Sequence, residues 1–110
     1  MLKKSELPPC PIALTIGLIG SKWKLFLLRE LVLNGERHFG ELLRAVVGIS
    51  KKSLTESLRA LEADGLVTRR EEPGRPPRVA YGLSPLGRTL LPLFDAMAAW
   101  GETYRREMAD

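Results

Sequence analysis

The sequence predicts a mainly α-helical fold of the α+β class, with one small β-hairpin before the last helix. Three observations support this fold class. Apolar residues recur at helical spacing up to Gly65, the period changes to two between Leu66 and Leu83, and a proline-started apolar stripe follows Ser84. A length of 110 residues with 45% hydrophobic residues suffices for one core, so we expect a single domain over 1–110.

Start and stop signals predict the first three helices. The charged, proline-tipped residues 1–9 are expected to form a flexible arm. Pro11 suits the first turn of a short apolar helix, and Ser21 caps a second helix that runs to about Asn34. A third helix is predicted over "HFGELLRAVV", from His38 onwards, and "VGIS" forms a tight turn after it.

The fourth helix has the clearest two-sided pattern. At about 100° per residue, Leu54, Leu58 and Leu61 fall in one narrow sector. The opposite side carries charged and hydrogen-bonding side chains, from Lys52, Thr55, Glu56 and Arg59. Two short helices joined by a short turn that contains glycine form a helix-turn-helix. One face of the fourth helix is therefore expected to be core, and the other is available to a partner.

Two strands and a last helix follow. "LVTRRE" and "RVAYGL" have strand composition and flank "EPGRPP", where "PG" favours a type II turn. Ser84, followed by proline, then predicts the start of a single long helix over 85–108, bent at Pro92. A helix-turn-helix followed directly by a hairpin is the winged-helix arrangement.

The excess positive charge is confined to the elements that would face a partner. The fourth helix up to Arg59 and the hairpin from Arg69 to Arg78 hold seven basic and three acidic residues, and the rest of the chain holds ten of each. A solvated helix face is the plainer explanation of such a charge run. The helix-turn-helix context favours DNA, because a helix N-terminus offers free N–H groups and a positive dipole end to phosphate. The predicted DNA-binding residues are Ser50, Lys51, Lys52, Ser53, Thr55, Glu56, Arg59, Arg69, Arg70, Arg75 and Arg78.

Several stretches together resemble one protein family. "CPI", "IGSKWK", "FGELLRAVVGISKKSLTESLRALEADGLVTR", "PPRVAYGLSPLG" and "AAWG", spread from Cys10 to Gly101, resemble the HxlR family of transcriptional regulators, relatives of the MarR group. The resemblance implies a homodimeric winged helix that binds double-stranded operator DNA, with terminal helices forming the dimer interface. The sequence departs from the family pattern at Ser21, where a glycine is expected, at Ala80, where the wing usually has an acid, and at Ser84, which replaces a threonine.

The apolar stripe of the last helix supports a dimer independently of the resemblance. The stripe is long for a domain whose core already draws on four helices and a hairpin, although packing onto its own monomer would also explain it. A symmetric dimer would set two recognition helices about 34 Å apart, one turn of DNA, and therefore predicts a pseudo-palindromic operator. The predicted dimer-interface residues are Ile12, Ile16, Leu90, Phe94, Met97, Trp100 and Tyr104.

Cys10 suggests a second property. It precedes Pro11 at a predicted helix N-terminus, with Lys3 and Lys4 nearby in the arm, and both features favour a thiolate. Some HxlR-like regulators use a cysteine in this "CP" position as a thiol switch, so the resemblance implies a redox-sensing candidate. A buried, inert cysteine is the alternative.

Composition argues against several other kinds of site. One cysteine and one histidine cannot form an internal disulfide framework or a conventional Cys/His zinc site, so neither a metal nor a cofactor is predicted. No apolar run reaches the roughly 18 residues typical of a membrane span, and a cytoplasmic location is expected. No catalytic residue is predicted, because nothing orients His38 as a base for Cys10. The alternatives are a winged-helix module that binds another protein and a small thiol enzyme at Cys10.

Overall fold

The structure of the chain is a computed structural model that describes residues 6–109. Within that range the fold is α+β, as predicted, with six helices and three strands. In chain order these are α1 (Pro11–Ile19), α2 (Lys22–Asn34), β1 (Arg37–His38), α3 (Phe39–Ala45), α4 (Lys51–Ala63), β2 (Val67–Glu72), β3 (Arg78–Leu83), α5 (Pro85–Arg88) and α6 (Leu91–Glu107). The wing consists of β2, β3 and the connecting residues 73–77.

The predicted ends of the first helices are confirmed, and capping explains them. The side chain of Ser21 accepts a hydrogen bond from the backbone N–H of Lys24 at 3.2 Å, which satisfies one free donor at the start of α2. Gly35 follows α2 with a φ of 72°, a conformation that glycine adopts without steric cost. Of the predicted arm, residues 1–5 lie outside the described residues, and residues 7–9 belong to no helix or strand.

The sheet has three antiparallel strands in the order β1-β3-β2, where the sequence predicts only a hairpin. The additional strand, β1, is two residues long and pairs His38 with Ala80. The prediction that the third helix begins at His38 is therefore wrong by one residue: His38 is the N-cap and α3 begins at Phe39. The type II turn is also wrong, because Gly74 has a φ of 155° and that turn needs about +80°.

The single helix predicted over 85–108 is in fact two helices. α5 ends at Arg88 and α6 begins at Leu91. Pro92 explains the interruption, because a proline inside a helix has no N–H to donate and its ring clashes with the carbonyl four residues earlier, here that of Arg88. At the second position of α6 the same residue is well tolerated. Pro92 thus starts a new helix instead of bending a continuous one.

Buried leucines from α2, α3 and α4 form the centre of the core. The largest fully buried side chains are those of Leu27, Leu28, Leu42, Leu54, Leu58 and Leu61. Val67 and Tyr81 close the core from the sheet. In contrast, α6 has no buried residue along its 17 residues. The winged-helix body is therefore packed around α4, and α6 contacts it through the partly buried side chains of Leu93 and Phe94 near its start.

The described part of the chain contains no single helix that is long and apolar enough to cross a membrane. α1 and α2 have sufficient length and apolar character only when taken together, and they are bent by 84° at the break between them.

Candidate nucleic-acid interface

The burial of one face of α4 fixes which side chains the helix presents outwards. Leu54, Leu58 and Leu61 are at most 1% exposed, so the helix cannot rotate without opening the core. Lys52 and Glu56 point the other way, with 84% and 63% of their side chains exposed. The predicted two-sided pattern of α4 is confirmed.

The N-terminus of α4 is capped from within the chain. Ser50 accepts a hydrogen bond from the backbone N–H of Ser53 at 3.0 Å. The N–H groups of Lys51 and Lys52, two residues and one residue before Ser53, are left to solvent or to an anion. Ser50 therefore acts as a cap, and Ser53 is half-buried beside it.

The remaining predicted residues of α4 fall into two groups by exposure. Lys51 and Arg59 are exposed, whereas Thr55 is half-buried at the edge of the core face. Lys52 lies 4.0 Å from Glu56, which is a loose pairing between two exposed side chains. The outward surface of α4 thus offers three cations and one carboxylate, with Thr55 and Ser53 at its border.

Two of the predicted wing arginines are paired with carboxylates. Arg69 lies 2.9 Å from Glu71, and Arg70 contacts both Glu36 and Glu72. These hydrogen bonds raise the pKa of both guanidinium groups, with the Glu71 and Glu36 contacts as the largest causes. Because part of their charge is already balanced, Arg69 and Arg70 are weaker candidates for phosphate binding than the sequence indicates.

Four of the predicted cations have no ion pair with another residue in the range 6–109. Arg75 stands in the loop of the wing and Arg78 begins β3, and both are exposed. Lys51 and Arg59 are the other two, at the start and in the middle of α4. These four side chains hold most of the unbalanced positive charge on the two elements.

Sequence reasoning missed a cluster of charged side chains around His38. Its Nδ1 lies 2.9 Å from Oε1 of Glu41, and its Nε2 contacts Oε1 of Glu72. The hydrogen bond with Glu72, and then that with Glu41, raises the pKa of His38 above 6.5. In return the backbone N–H of His38 and then its side chain lower the pKa of Glu41 to about 2, and the His38 side chain lowers that of Glu72.

Only half of this cluster has a sequence signal. A polar residue three positions before a glutamate is the spacing of a capping box, and His38 and Glu41 stand at that spacing. Glu72 is 34 positions from His38, and the two meet only because β3 lies between β1 and β2 in the sheet. This strand order is a property of the folded sheet, and the spacing of residues in the sequence does not indicate it.

The architecture, an exposed basic helix after a tight turn and a wing beside it, matches a known family along most of the chain. The sequence model of the protein family described as HxlR-like helix-turn-helix matches residues 18–109 of the chain. The chain belongs to the HxlR-like helix-turn-helix family. The family resemblance predicted from sequence motifs is thereby confirmed, and the chain is a helix-turn-helix transcriptional regulator.

Relatives of this HxlR-like chain include named regulators and solved structures. The HTH-type transcriptional regulator YybR of Bacillus subtilis is 42% identical over 96 residues, which is 87% of this chain and 76% of YybR. The redox regulator HypR in its reduced form is 41% identical, with a TM-score of 0.82 over 87% of this chain and 94% of HypR. The reduced form of the transcriptional regulator YodB from B. subtilis is 31% identical, with a TM-score of 0.76 over 88% of this chain and 95% of YodB.

The HxlR-like chain has a second surface, formed by apolar side chains of α1 and α6. Ile12, Ile16, Met97, Trp100 and Tyr104 are 71%, 61%, 43%, 67% and 54% exposed. The rings of Trp100 and Tyr104 lie 5.7 Å apart between centroids. A groove of about 440 Å³ runs between the two helices, lined by α1, by Leu25 of α2 and by Leu93 and Met97 of α6.

Not every predicted dimer residue belongs to this second surface. Leu90 and Phe94 are partly buried and pack against the core of the same chain. Packing onto the monomer, the alternative explanation of the stripe, therefore accounts for these two residues. It does not account for Met97, Trp100 and Tyr104, which the described chain leaves exposed.

Cys10 is exposed and forms the N-cap of α1. Its side chain makes no capping hydrogen bond, so the thiol is not occupied by the helix. The predicted proximity of Lys3 and Lys4 lies outside the described residues. The alternative of a buried cysteine is contradicted by this exposure.

Proposed function

We propose that this HxlR-like regulator binds a pseudo-palindromic operator as a homodimer. The observation that carries the proposal is the outward face of α4, where unbalanced cations stand beside a helix N-terminus while the leucines behind it are fully buried. Such a rigid, basic, convex helix suits the major groove of DNA. Within this arrangement Lys51, Lys52, Arg75 and Arg78 suit phosphates. Ser53, Thr55, Glu56 and Arg59 suit base edges.

The apolar surface on α1 and α6 supports the homodimer. Beyond Phe94, α6 leaves the rings of Trp100 and Tyr104 more than half exposed, and an exposed apolar patch of this kind is typical of a protein–protein interface. Pairing with the same surface of a second copy would bury these side chains on both sides. A twofold axis at α6 would then relate the two copies of α4 by symmetry.

Fluorescence anisotropy with a labelled duplex from upstream of the protein's own gene would test the DNA proposal. With about six to ten phosphate contacts per dimer, the affinity should fall by roughly a thousandfold or more between about 50 and 200 mM salt. Lys52→Glu and Arg59→Glu should each abolish specific binding, because they place a carboxylate against the DNA. Arg88→Glu, a matched charge reversal on α5, should leave binding nearly unchanged.

This experiment also separates the proposal from its alternatives. A protein-interaction module would retain its function when Lys52 and Arg59 are reversed. Binding that is insensitive to salt, or a loss of affinity in Arg88→Glu equal to that in Arg59→Glu, would contradict DNA binding through α4. A DNA target and a free thiol both suit the reducing cytoplasm, which we take as the site of action.

Exposure of Cys10 favours a redox response as a second property. HypR has been solved in reduced and oxidised forms, and YodB in reduced and diamide-treated forms, and both are similar to this chain over most of its length. In a dimer, two Cys10 thiols could form one intersubunit disulfide as diamide takes up the two hydrogen atoms. Diamide should then change DNA affinity in wild type and give a dimer band on a non-reducing gel. If Cys10→Ser responds in the same way as wild type, Cys10 is not the sensor.

A further inference from the structure

His38 joins two parts of the fold that are distant in sequence. One ring nitrogen faces Glu41 at the start of α3, and the other faces Glu72 at the end of β2, where the strand gives way to the loop of the wing. Three quarters of the His38 side chain is covered, and Glu41 and Glu72 are about as well covered. The contact to Glu72 adds a side-chain link to the outer end of β2, beside the backbone pairing of β1 with β3 and the ion pair of Arg70 with Glu36.

When Glu41 and Glu72 are both ionised, only the protonated ring satisfies both contacts together. An imidazolium donates from Nδ1 and from Nε2, whereas a neutral imidazole donates from one nitrogen and presents a lone pair at the other. A neutral His38 would therefore set a lone pair against one of two carboxylates. Since the two carboxylates approach opposite nitrogens of the ring, a single metal ion cannot replace the proton at both positions.

We propose that His38 is a protonation-dependent latch that holds the wing against the start of α3, so that DNA affinity falls as His38 loses its proton. Protonated His38 fixes Glu72 and adds a positive charge beside the outer end of β2. Deprotonation removes the side-chain contact at the outer end of β2, which then depends on its pairing with β3 alone, and leaves the carboxylate of Glu72 less balanced. Both changes disfavour a polyanion. Only the DNA part of this inference rests on the proposed function.

Other charged groups face the cluster from each neighbouring element. From β2, Arg70 lies 3.3 Å from Glu72 and also contacts Glu36, which precedes β1. From β1, Arg37 lies 3.4 Å from Glu41. Arg78 of β3 and Arg44 of α3 line a cleft of about 330 Å³ together with His38. The positive charge of Arg78 opposes protonation of His38, and the two carboxylates outweigh it.

The chain has a single histidine, so its ring can be followed by NMR without ambiguity. In the free protein, the pKa of His38 should lie above 6.5 and should drop in Glu72→Gln. Glu71→Gln provides the matched control. It also removes one negative charge from β2, but the carboxylate of Glu71 pairs with Arg69 and not with His38. The latch is overturned if Glu71→Gln lowers the pKa of His38 as much as Glu72→Gln does.

The wing itself gives the second measurement. Carbon-13 relaxation at the Cα atoms of Gly74 and Arg75 should show a rigid loop at about pH 6 and a more mobile one at about pH 8.5, following the titration of His38. In His38→Asn, which keeps a good N-cap residue, the loop should be mobile at both values. A loop whose mobility is the same at both values in wild type would refute the latch.

DNA affinity gives the third measurement. If DNA raises the pKa of His38 by one unit, the dissociation constant of wild type should increase several-fold from pH 6 to 8.5, towards a limit of about tenfold. His38→Asn should show a much smaller change, and Glu71→Gln should resemble wild type. An undiminished pH dependence in His38→Asn would assign it to other groups. If no duplex binds at any pH, the proposed function fails, and the two measurements on the free protein still decide whether the latch exists.

Discussion

At the scale of single residues, the His38 cluster makes stability depend on pH in a defined window. The raised pKa of His38 stabilises the fold fully below 6.5, and this contribution is lost as the pH rises through the higher pKa of the folded state. The lowered pKa of Glu41 stabilises the fold above 4.5, and this contribution is lost as the pH falls towards about 2. The cluster therefore contributes most between pH 4.5 and 6.5.

Thermal unfolding across pH tests this expectation. The melting temperature of wild type should be highest in that window and should decline on both sides. In His38→Asn the decline on the alkaline side should be smaller, while the decline on the acid side should persist because other carboxylates still titrate. If the melting temperature declines equally on the alkaline side in both proteins, His38 does not stabilise the fold.

Two glycines give opposite predictions for the same substitution. A Cβ at Gly87 would overlap the backbone carbonyl of Leu66, whereas a Cβ at Gly101 in α6 would meet no atom within 4 Å. Gly87→Ala should therefore destabilise the protein by about 1–3 kcal/mol or more. Gly101→Ala should be neutral or stabilise the helix by about 0.5–1 kcal/mol. Urea unfolding of both variants decides the matter, and equal effects would contradict the packing described around Gly87.

At the scale of elements, the wing is expected to contribute charge unequally. Arg75 has no ion pair among the described residues, whereas Arg69 is held by Glu71 at 2.9 Å. If Arg75 contacts one phosphate, Arg75→Gln should reduce the slope of log affinity against log salt by about 0.9 for each subunit. Arg69→Gln should reduce the slope by less. Equal slopes in the two variants would mean that the Arg69–Glu71 pair opens on DNA.

The sequence predicts the elements whose signals are local. α2 and α4 begin at serine caps, and the leucine side of α4 follows from its period. β1 escapes prediction because two residues are too short for a pattern and gain their strand pairing only from β3. Pro92 is a local signal for the break between α5 and α6, because proline is favoured in the first turn of a helix. The apolar stripe continues across the break and therefore predicts, wrongly, one continuous helix.

The same distinction applies to the candidate site. Exposure of the cations on α4 follows from the buried side of the same helix, so periodicity suffices to place them. Whether Arg70 is free depends on Glu36, which is 34 positions away. Strand order brings the two together, and no spacing in the sequence encodes it. Counting charges along the chain therefore overestimates the number of unpaired cations on the wing.

At the scale of the whole molecule, the apolar surface of α6 predicts the state of assembly. Trp100→Ala should weaken the dimer by roughly 2 kcal/mol, about thirtyfold in its dissociation constant, because a large exposed ring is a frequent anchor of interfaces. Arg106→Ala, on the opposite side of α6, should leave the dimer unchanged. Sedimentation velocity over a concentration series provides the measurement. A wild-type protein that stays monomeric at high concentration would remove the basis for this expectation.

The interruption at Thr89 and Leu90 has a consequence for how such regulators diversify. α6 has 17 residues and acts as a lever arm of about 25 Å, so a tilt of about 10° at this joint moves its far end by roughly 4 Å, close to the 3.4 Å rise of one base pair. If α6 joins the two subunits, the joint sets the separation of the recognition helices, while the outward side chains of α4 set their preference for bases. Different residues would then determine the spacing of the two operator half-sites and their base sequence, so each property could change without the other.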